Sequence, residues 1–275
     1  MRSPFTFALF ALPLALMTLS GCRVSISDVS DDADDGSATP EPPAAPAPSS
    51  SSSSSHTTLG QPTTSPVAVA DAPFNEVVYV LMKDRLARTW FCTGTLVAKT
   101  TVVTAGHCLG TEFIRYEVIA PHAANAPRVA AAKLAAFEGD YEDPAIADIG
   151  FLTLATPIEL PAYAVLTDVS AQLDAGEVVT AQASVRTKEQ PQAPLAATQM
   201  LTVSATAELG YTHGIGTPLF SNGGDSGAGL FLVENGVATH KLIGVARQPD
   251  PARSLDHFTR IDADIAAWST EKTAR

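Results

Sequence analysis

The sequence predicts an all-β fold that ends in one α-helix, and three observations support this fold class. Short segments rich in Val, Ile, Leu and Thr recur along the chain, and they are bounded by Gly, Pro or Asn, as is typical of β-strands. The tripeptide Glu-Asn-Gly at 234–236 separates two such segments, and Asn-Gly suits a hairpin turn that needs positive φ. Near the end of the chain, Ile261, Ile265 and Trp268 are spaced as on one face of a helix. Many short strands with one terminal helix indicate antiparallel β-barrels or a β-sandwich.

The predicted strands run from residue 76 to residue 246. Ala and Pro weaken the strand pattern between residues 121 and 147, and the tripeptide Gly-Ile-Gly at 214–216 is expected to be a turn. In chain order, the predicted strands span residues 76–82, 94–98, 101–104, 116–120, 149–154, 177–182, 200–205, 228–233 and 237–246.

The composition is that of a globular, acidic protein. The chain has 275 residues, of which 45% are hydrophobic, and this is enough to form a core. With 17 Lys and Arg residues against 29 Asp and Glu residues, the formal net charge is −12. Because nucleic-acid binding proteins usually need a basic face, this charge argues against a nucleic-acid partner. The 3 Cys residues are too few for a disulfide scaffold, and no Cys-x-x-Cys pair indicates structural zinc.

Residues 1–21 are predicted to be a signal peptide. Arg2 supplies the positive start, residues 5–19 are almost wholly apolar, and small residues follow. The tetrapeptide Leu-Ser-Gly-Cys at 19–22 resembles the lipobox of bacterial lipoproteins. This resemblance implies cleavage before Cys22 and attachment of lipid to its sulfur, which would tie the protein to a membrane. The alternative is an ordinary signal peptide followed by an incidental cysteine.

Residues 22–66 are predicted to be a disordered tether that begins at the lipidated cysteine. The segment is rich in Asp, Ser and Pro and includes an unbroken serine run at 49–55. It lacks the large apolar side chains that a core needs. Residues 67–275 would then form the globular domain. The expected location is the bacterial cell envelope, with the protein exported and lipid-anchored. Arg23, in place of Asp after the cysteine, favours the outer membrane in a cell with two membranes.

Three short motifs carry the chemistry. Thr-Ala-Gly-His-Cys at 104–108 follows a predicted strand, Asp-Ile-Gly-Phe-Leu at 148–152 opens another, and Gly-Gly-Asp-Ser-Gly at 223–227 precedes a third. In the order His, Asp, Ser these motifs resemble the trypsin-like (chymotrypsin-fold) serine proteases. Phe-Cys-Thr-Gly-Thr-Leu at 91–96 and Phe-Thr-Arg-Ile at 258–261 are similar to further strands of that family. The resemblance implies two antiparallel β-barrels with a C-terminal helix.

The same resemblance implies a catalytic triad of His107, Asp148 and Ser226. A Ser hydroxyl is a poor nucleophile until a base removes its proton, and His107 is the candidate base. Asp148 would orient the imidazole and stabilise the imidazolium that forms. The N–H groups of Gly224 and Ser226 would form the oxyanion hole. The expected activity is hydrolysis of peptide bonds in a peptide or protein substrate by a monomer, with no cofactor and no metal.

The cysteine inventory agrees with the resemblance. If Cys22 carries lipid, Cys92 and Cys108 remain as a pair, and the family implies that they are bonded to each other. The compartment beyond a signal sequence permits such a bond. The bond would also anchor the segment that bears His107. Two free thiols are the alternative.

The chain departs from the family in the region where trypsin-like enzymes are activated by cleavage. Family members commonly free an Ile-Val-Gly-Gly terminus whose ammonium pairs with the Asp before the Ser, which is Asp225 here. The corresponding stretch at 67–71 reads Val-Ala-Val-Ala-Asp, and no basic cleavage site precedes it. We therefore expect activity without a cut at this place, with Asp225 paired to another donor. A cut after Pro66 that creates an amine on Val67 is the alternative.

The predicted specificity pocket also departs from the family. Phe220 stands where enzymes with a basic preference carry Asp, and Asp256 matches a position on the pocket wall. The Asp256 carboxylate could face a basic substrate side chain in the pocket, or it could point away from the pocket. Arg247 replaces a Ser that often bonds the triad Asp, and Pro249 lacks the N–H that pairs with substrate backbone. These departures leave the side-chain preference open and motivate an alternative function, a non-catalytic homologue that acts as a binding module at the cell surface.

The remaining titratable residues are expected to be structural. The acidic residues between 138 and 143 lack the ordered spacing of a calcium loop and are expected to face solvent. Four histidines show no metal-ligand spacing and are expected on the surface or in loops, namely His122, His213, His240 and His257.

Overall fold

A computed structural model of the chain describes residues 74–186 and 194–273. These residues belong to a compact unit that spans Gly60–Arg275. The signal peptide, Cys22, the tether and Val67 lie outside the described residues, so the expectations for them stay predictions. Within the described ranges, no helix is both long enough and apolar enough to cross a membrane.

Six antiparallel strands close into the first barrel. They are hydrogen-bonded to one another in a ring, in which the fourth strand returns to pair with the first, so the sheet has no free edge. Around the ring, the strands are β1 (Val77–Asp84), β2 (Thr89–Ala98), β3 (Thr101–Thr104), β6 (Gly150–Leu154), β5 (Arg128–Ala136) and β4 (Phe113–Ile119).

The second barrel is a second ring of six antiparallel strands. Around this ring, the strands are β8 (Val179–Arg186), β10 (Leu201–Ala205), β11 (Gly214–Pro218), β14 (Leu255–Arg260), β13 (Val237–Asp250) and β12 (Gly229–Glu234). Two short strands flank it: β9 (Leu195–Ala197) pairs with β8, and β7 (Val165–Leu166) runs parallel to β13. The predicted turn at 234–236 joins β12 to β13.

Strand β1 explains how the two barrels pack on each other. Successive side chains of a strand point to opposite faces, so an apolar strand can contribute to two cores. Val78 and Val80 pack inside the first barrel, whereas Tyr79 joins a cluster that includes residues of the second barrel. In that shared cluster, the rings of Phe74 and Phe231 stack with 4.3 Å between their centroids. The apolar character of β1 on both faces therefore holds the two barrels together.

Two helices complete the fold. A short helix, α1 (Ser170–Asp174), precedes β8, and the C-terminal helix α2 (Ala263–Thr273) follows β14. Asp262 caps α2, because its Oδ1 accepts the N–H of Ile265 at 3.0 Å. Ile265 is fully buried, and Trp268 packs against two Phe rings of the first barrel. The predicted fold class, two antiparallel barrels with a C-terminal helix, is confirmed.

Three local features differ from the sequence-based expectations. Strand β5 forms inside the Ala- and Pro-rich stretch because its backbone completes the ring between β4 and β6, although few of its side chains are buried. Residues 214–216 were expected to be a turn but lie in β11. A Cβ on Gly214 would collide with Thr206 and Tyr211, so this glycine serves close packing. His257, expected on the surface or in a loop, is buried in β14.

Candidate active site

The pairing of two strands brings His107 and Asp148 together. His107 lies in a 3₁₀ turn (Gly106–Leu109) after β3, and Asp148 comes just before β6. Because β3 and β6 are antiparallel neighbours with Thr104 opposite Gly150, the end of β3 lies beside the start of β6. Asp148 accepts the backbone N–H of His107 at 2.8 Å, and its other oxygen lies 2.6 Å from Nδ1 of the same residue. The carboxylate therefore fixes both the backbone and the ring of the histidine.

The surroundings of this pair suit a base on the histidine ring. Asp148 is 1% exposed, whereas the His107 side chain is 39% exposed. Burial by itself lowers the pKa of His107, but the hydrogen bond and the charge of Asp148 raise it, and the net pKa lies above the ordinary value of 6.5. With Nδ1 engaged by the carboxylate, Nε2 is the ring nitrogen that remains to exchange a proton with a neighbour.

The second barrel supports the backbone around Asp148. The Thr259 hydroxyl accepts the N–H of Asp148 at 3.1 Å and donates to its carbonyl oxygen at 3.0 Å. Arg247, which the sequence analysis placed at the specificity pocket, is buried, and its guanidinium donates to several carbonyl oxygens of residues 141–146. These contacts hold the loop that leads into Asp148. In this structure Arg247 is therefore fastened to that loop and does not bond the Asp148 carboxylate.

The backbone of Ser226 is fixed to the segment that carries His107. Ser226 lies in the loop before β12, and its carbonyl oxygen accepts the N–H of Thr93 from β2 at 2.8 Å. Cys92 and Cys108 form a disulfide, and Cys108 Sγ lies 4.0 Å from the same Ser226 oxygen. The disulfide confirms the pairing that the family resemblance implied. The backbones of the three predicted triad residues thus come together where the two barrels meet.

Residues 223–227, here called the oxyanion loop after their predicted role, include a glycine with positive φ and two backbone N–H groups without an acceptor in the described part of the chain. Gly224 has φ of +89°, in the left-handed region that favours glycine. The N–H groups of Gly224 and Ser226 donate to no acceptor within the described residues. Thr93 Oγ1 donates to the Gly224 carbonyl oxygen at 3.0 Å, which ties the loop to the first barrel. The two predicted oxyanion-hole donors are therefore unengaged inside a fixed loop.

Asp225 is buried and paired within the chain. Its Oδ1 accepts the backbone N–H of Arg186 at 2.9 Å, and its Oδ2 accepts that of Asn222 at 2.9 Å. The guanidinium Nε of Arg186 lies 3.7 Å from Oδ1. Burial raises the pKa of Asp225, and these donors offset part of that rise. Sequence reasoning missed Arg186, whose only signal was a basic residue a few positions after a predicted strand.

Hydrogen bonds join Asp256 to the segment that carries Phe220. Asp256 is buried, and its carboxylate accepts the backbone N–H groups of Phe220 at 2.7 Å and Ser221 at 2.9 Å, together with the Ser221 hydroxyl. Burial raises the pKa of Asp256, and these hydrogen bonds oppose the rise. The Phe220 ring packs near Phe258 inside the second barrel, with 6.1 Å between centroids. The Asp256 carboxylate is thus committed to protein donors.

Two groups of side chains have ligand atoms close enough for a metal within the described residues. One is formed by His213, Asp262 and Asp264, and its Asp262 Oδ2 already lies 2.7 Å from His213 Nδ1 and 3.7 Å from the Arg260 guanidinium. A guanidinium beside the carboxylate disfavours a second cation there. The other group contains His107 and both sulfurs of the disulfide, which are not available as thiolates.

Comparison with models of protein families shows which family the chain belongs to. The family model described as Trypsin matches residues 66–268, which is most of the sequence. The chain belongs to the trypsin family. Membership of the trypsin family supports a serine protease and implies peptides or proteins as its substrate class. A search of curated proteins found no match.

Solved structures share this trypsin-family fold at low sequence identity. HL collagenase aligns with a TM-score of 0.60 at 15% identity, over 78% of this chain and 98% of that chain. The structure titled GrC aligns with a TM-score of 0.59 at 17% identity, over 78% and 99%. The protease Anisep from Arthrobacter nicotinovorans aligns with a TM-score of 0.55 at 16% identity, over 72% and 94%. At such identities these structures establish the fold alone.

Proposed function

We propose that the protein is an exported, lipid-anchored serine endopeptidase that uses His107, Asp148 and Ser226. The observation that carries this proposal is the buried Asp148 carboxylate, which binds both the backbone N–H and the ring of His107. This pair lies beside the backbone of Ser226, whose carbonyl oxygen is near Cys108. An isolated His–Asp pair has many structural uses, but this pair next to a glycine-rich serine loop in a trypsin-family fold supports acyl transfer.

In the first half of the proposed reaction, Ser226 attacks the carbonyl carbon of the scissile peptide bond. His107 takes the hydroxyl proton on Nε2, and Asp148 stabilises the imidazolium. The carbonyl oxygen becomes an oxyanion that accepts the N–H groups of Gly224 and Ser226. His107 then gives its proton to the amine nitrogen, the C–N bond breaks, and the acyl group stays on Ser226.

In the second half, water takes the place of the amine. His107 removes a proton from the water, the resulting hydroxide attacks the acyl carbon, and the same two N–H groups again hold the oxyanion. The bond to Ser226 breaks as the serine oxygen recovers the proton from His107. The products are an amine and a carboxylic acid, and no cofactor takes part in either half.

A binding module without catalysis is the second candidate, and one feature of the pocket favours it. Pro249 faces Asp256 in the β13–β14 register, and Pro has no N–H with which to pair to a substrate backbone.

Labelling with a fluorophosphonate probe separates the two candidates, because the probe forms a bond only with an activated serine. We expect the wild-type protein to be labelled and the Ser226→Ala and His107→Ala variants not to be. A folded wild-type protein that resists the probe, beside a labelled control protease, favours the binding module.

The proposed membrane anchor requires a separate experiment. Lipid on the Cys22 sulfur would hold the tether and the protease domain at the envelope surface. We expect wild-type protein in the membrane fraction and Cys22→Ala protein in the soluble exported fraction, with equal fluorophosphonate labelling of both. If Cys22→Ala protein whose mass shows the loss of residues 1–21 stays in the membrane fraction, lipid attachment at this residue is wrong, while the protease activity is unaffected.

A further inference from the structure

Arg186 is buried against the oxyanion loop, although it belongs to none of the motifs that carry the family resemblance. Its side chain is 6% exposed. Strand β8 ends at Arg186 and pairs antiparallel with β12, with Ala183 opposite Leu230. Because the strands run in opposite directions, the end of β8 lies beside the residues that precede β12. Those residues are the oxyanion loop.

Three contacts join Arg186 to this loop. Its backbone N–H donates to Asp225 at 2.9 Å, its Nε lies 3.7 Å from the same carboxylate, and its Nη2 donates to the carbonyl oxygen of Gly223. A Cβ on Gly224 would overlap the guanidinium, so the loop backbone packs directly on this side chain. Arg suits this place because its planar fork carries a permanent charge and several donors at once.

The contact with Gly223 determines where the N–H of Gly224 points. The C=O of Gly223 and the N–H of Gly224 belong to one planar peptide unit, and in a trans peptide these two groups point in opposite directions. No peptide bond of the described residues is cis. Since the guanidinium holds the carbonyl, the N–H must face away from Arg186. That N–H is one of the two proposed oxyanion donors.

We propose that Arg186 is a positioning residue that holds the Gly223–Gly224 peptide with its N–H facing the substrate cleft. The oxyanion hole then forms in the intact chain, with no cut to release an amine for Asp225. This inference rests on the proposed function, since an oxyanion hole matters only in an acyl-transfer enzyme. Arg186 provides the two things that a freed terminus would otherwise provide, a cation beside Asp225 and a fixed loop.

The test compares Arg186→Met and Arg186→Lys in the full chain with a matched control, Arg128→Met. Arg128 also donates to a carboxylate, that of Glu117, but lies on the first barrel. The active sites of each protein are counted by fluorophosphonate titration, and kcat and KM are measured per titrated site with the best peptide amide substrate from a library. Melting temperature and the mass of the labelled chain are recorded for each protein.

We expect Arg186→Met to lower kcat per titrated site by about 10²–10³-fold, as for the loss of one oxyanion donor. KM should change little, and the pH midpoint of kcat/KM should not move, because His107 and Asp148 are untouched. Arg186→Lys keeps the charge beside Asp225 but not the fork, so its melting temperature should stay near wild type while kcat falls. Arg128→Met should keep the wild-type kcat. The labelled wild-type chain should still contain residues 22–66.

The positioning role of Arg186, activity without a cut, and the proposed function would each be overturned by a different result. Wild-type kcat in Arg186→Lys, or in a folded Arg186→Met, would overturn the positioning role while leaving the protease itself intact. Labelled wild-type chains that all begin at Val67 would overturn activity without a cut. A wild-type protein that is not labelled at all would instead overturn the proposed function. If Arg186→Met does not fold, Arg186→Lys decides the question.

Discussion

Two buried carboxylates of this protein, Asp148 and Asp225, have similar hydrogen-bond surroundings and differ in the basic side chain beside them. Each is 1% exposed, and each accepts a backbone N–H from the residue whose side chain also approaches it. The partner of Asp148 is His107, which is 39% exposed and whose pKa the hydrogen bond and charge of Asp148 raise above the ordinary value of 6.5. The partner of Asp225 is Arg186, which is 6% exposed and always charged. The same pairing therefore serves proton transfer where the partner titrates, and fixed backbone geometry where it does not.

The Asp148→Asn variant should give the largest effect and should act almost entirely on rate. An amide cannot select the histidine tautomer or stabilise the imidazolium, and in Ser-His-Asp proteases this change lowers kcat by about 10⁴-fold. Stability should change much less, since His107 can lose its proton and leave no buried charge unpaired. The measurements are kcat per titrated site and urea unfolding. A variant that keeps even a tenth of the wild-type kcat would contradict the role of Asp148.

The Asp225→Asn variant should lose much more stability than Asp148→Asn, and it should also lose rate because Asp225 helps to fix the oxyanion loop. Neutralising Asp225 leaves the buried Arg186 guanidinium without its anion, and the amide cannot accept both backbone N–H groups. Breaking a buried ion pair from one side costs about 3–5 kcal/mol. Urea unfolding measures this loss. Glu234→Gln is the control, because it breaks an exposed pair with Lys241 and should cost less than about 1 kcal/mol. Equal losses for the two variants would remove the distinction between buried and exposed pairs.

The pH dependence of kcat/KM separates the two carboxylates further. Protonated His107 cannot act as a base, so kcat/KM should rise with pH through a midpoint that lies above 6.5. In Asp148→Asn the midpoint should fall, because the hydrogen bond and charge that raise the pKa of His107 are lost while burial still lowers it. In Asp225→Asn the midpoint should stay at the wild-type value. A midpoint below 6.5 in the wild-type protein would contradict the effect of Asp148 on this ring.

The raised pKa of His107 also affects the stability of the fold. As pH rises, this contribution to stability falls while the rate increases. Because the pKa of folded His107 is raised, its pair with Asp148 stabilises the fold fully below the unfolded value of about 6.5. This contribution disappears as pH rises through the folded pKa, where the enzyme becomes active. The protein is therefore expected to lose some stability over the pH range in which it gains its base.

The features predicted from sequence were those that a short segment specifies by itself. The motif at 104–108 combines the end of a strand with the histidine and one cysteine, so its role needs only local structure and the family resemblance. The strand at 101–104 matches its predicted bounds because its four residues pair on both sides. The disulfide between Cys92 and Cys108 was implied by the family resemblance, and the structure contains it.

The features missed depend on contacts between distant parts of the chain. Arg186 reaches the oxyanion loop only through the register of β8 with β12, and no local pattern contains that register. Arg247 donates to carbonyls more than a hundred residues before it, and the loop backbone offers no side-chain signal for this contact. The strand pattern of β5 is weak in the sequence, because backbone pairing with both neighbouring strands decides its place in the ring.

The Thr259→Val variant should give the smallest effect on kcat, and it tests the support that Thr259 gives to the backbone of Asp148. The Thr259 hydroxyl satisfies both the N–H and the carbonyl of Asp148, so its loss leaves a buried donor without a partner. Such a loss costs about 1–3 kcal/mol, which urea unfolding can measure. Since the Asp148 carboxylate keeps both of its bonds to His107, kcat should fall far less than in Asp148→Asn. Thr259→Ser keeps the hydroxyl and should restore most of the stability. If Thr259→Val lowers kcat as much as Asp148→Asn does, the backbone support of Asp148 matters as much to the rate as its carboxylate, and the contrast with Asp225 loses its basis.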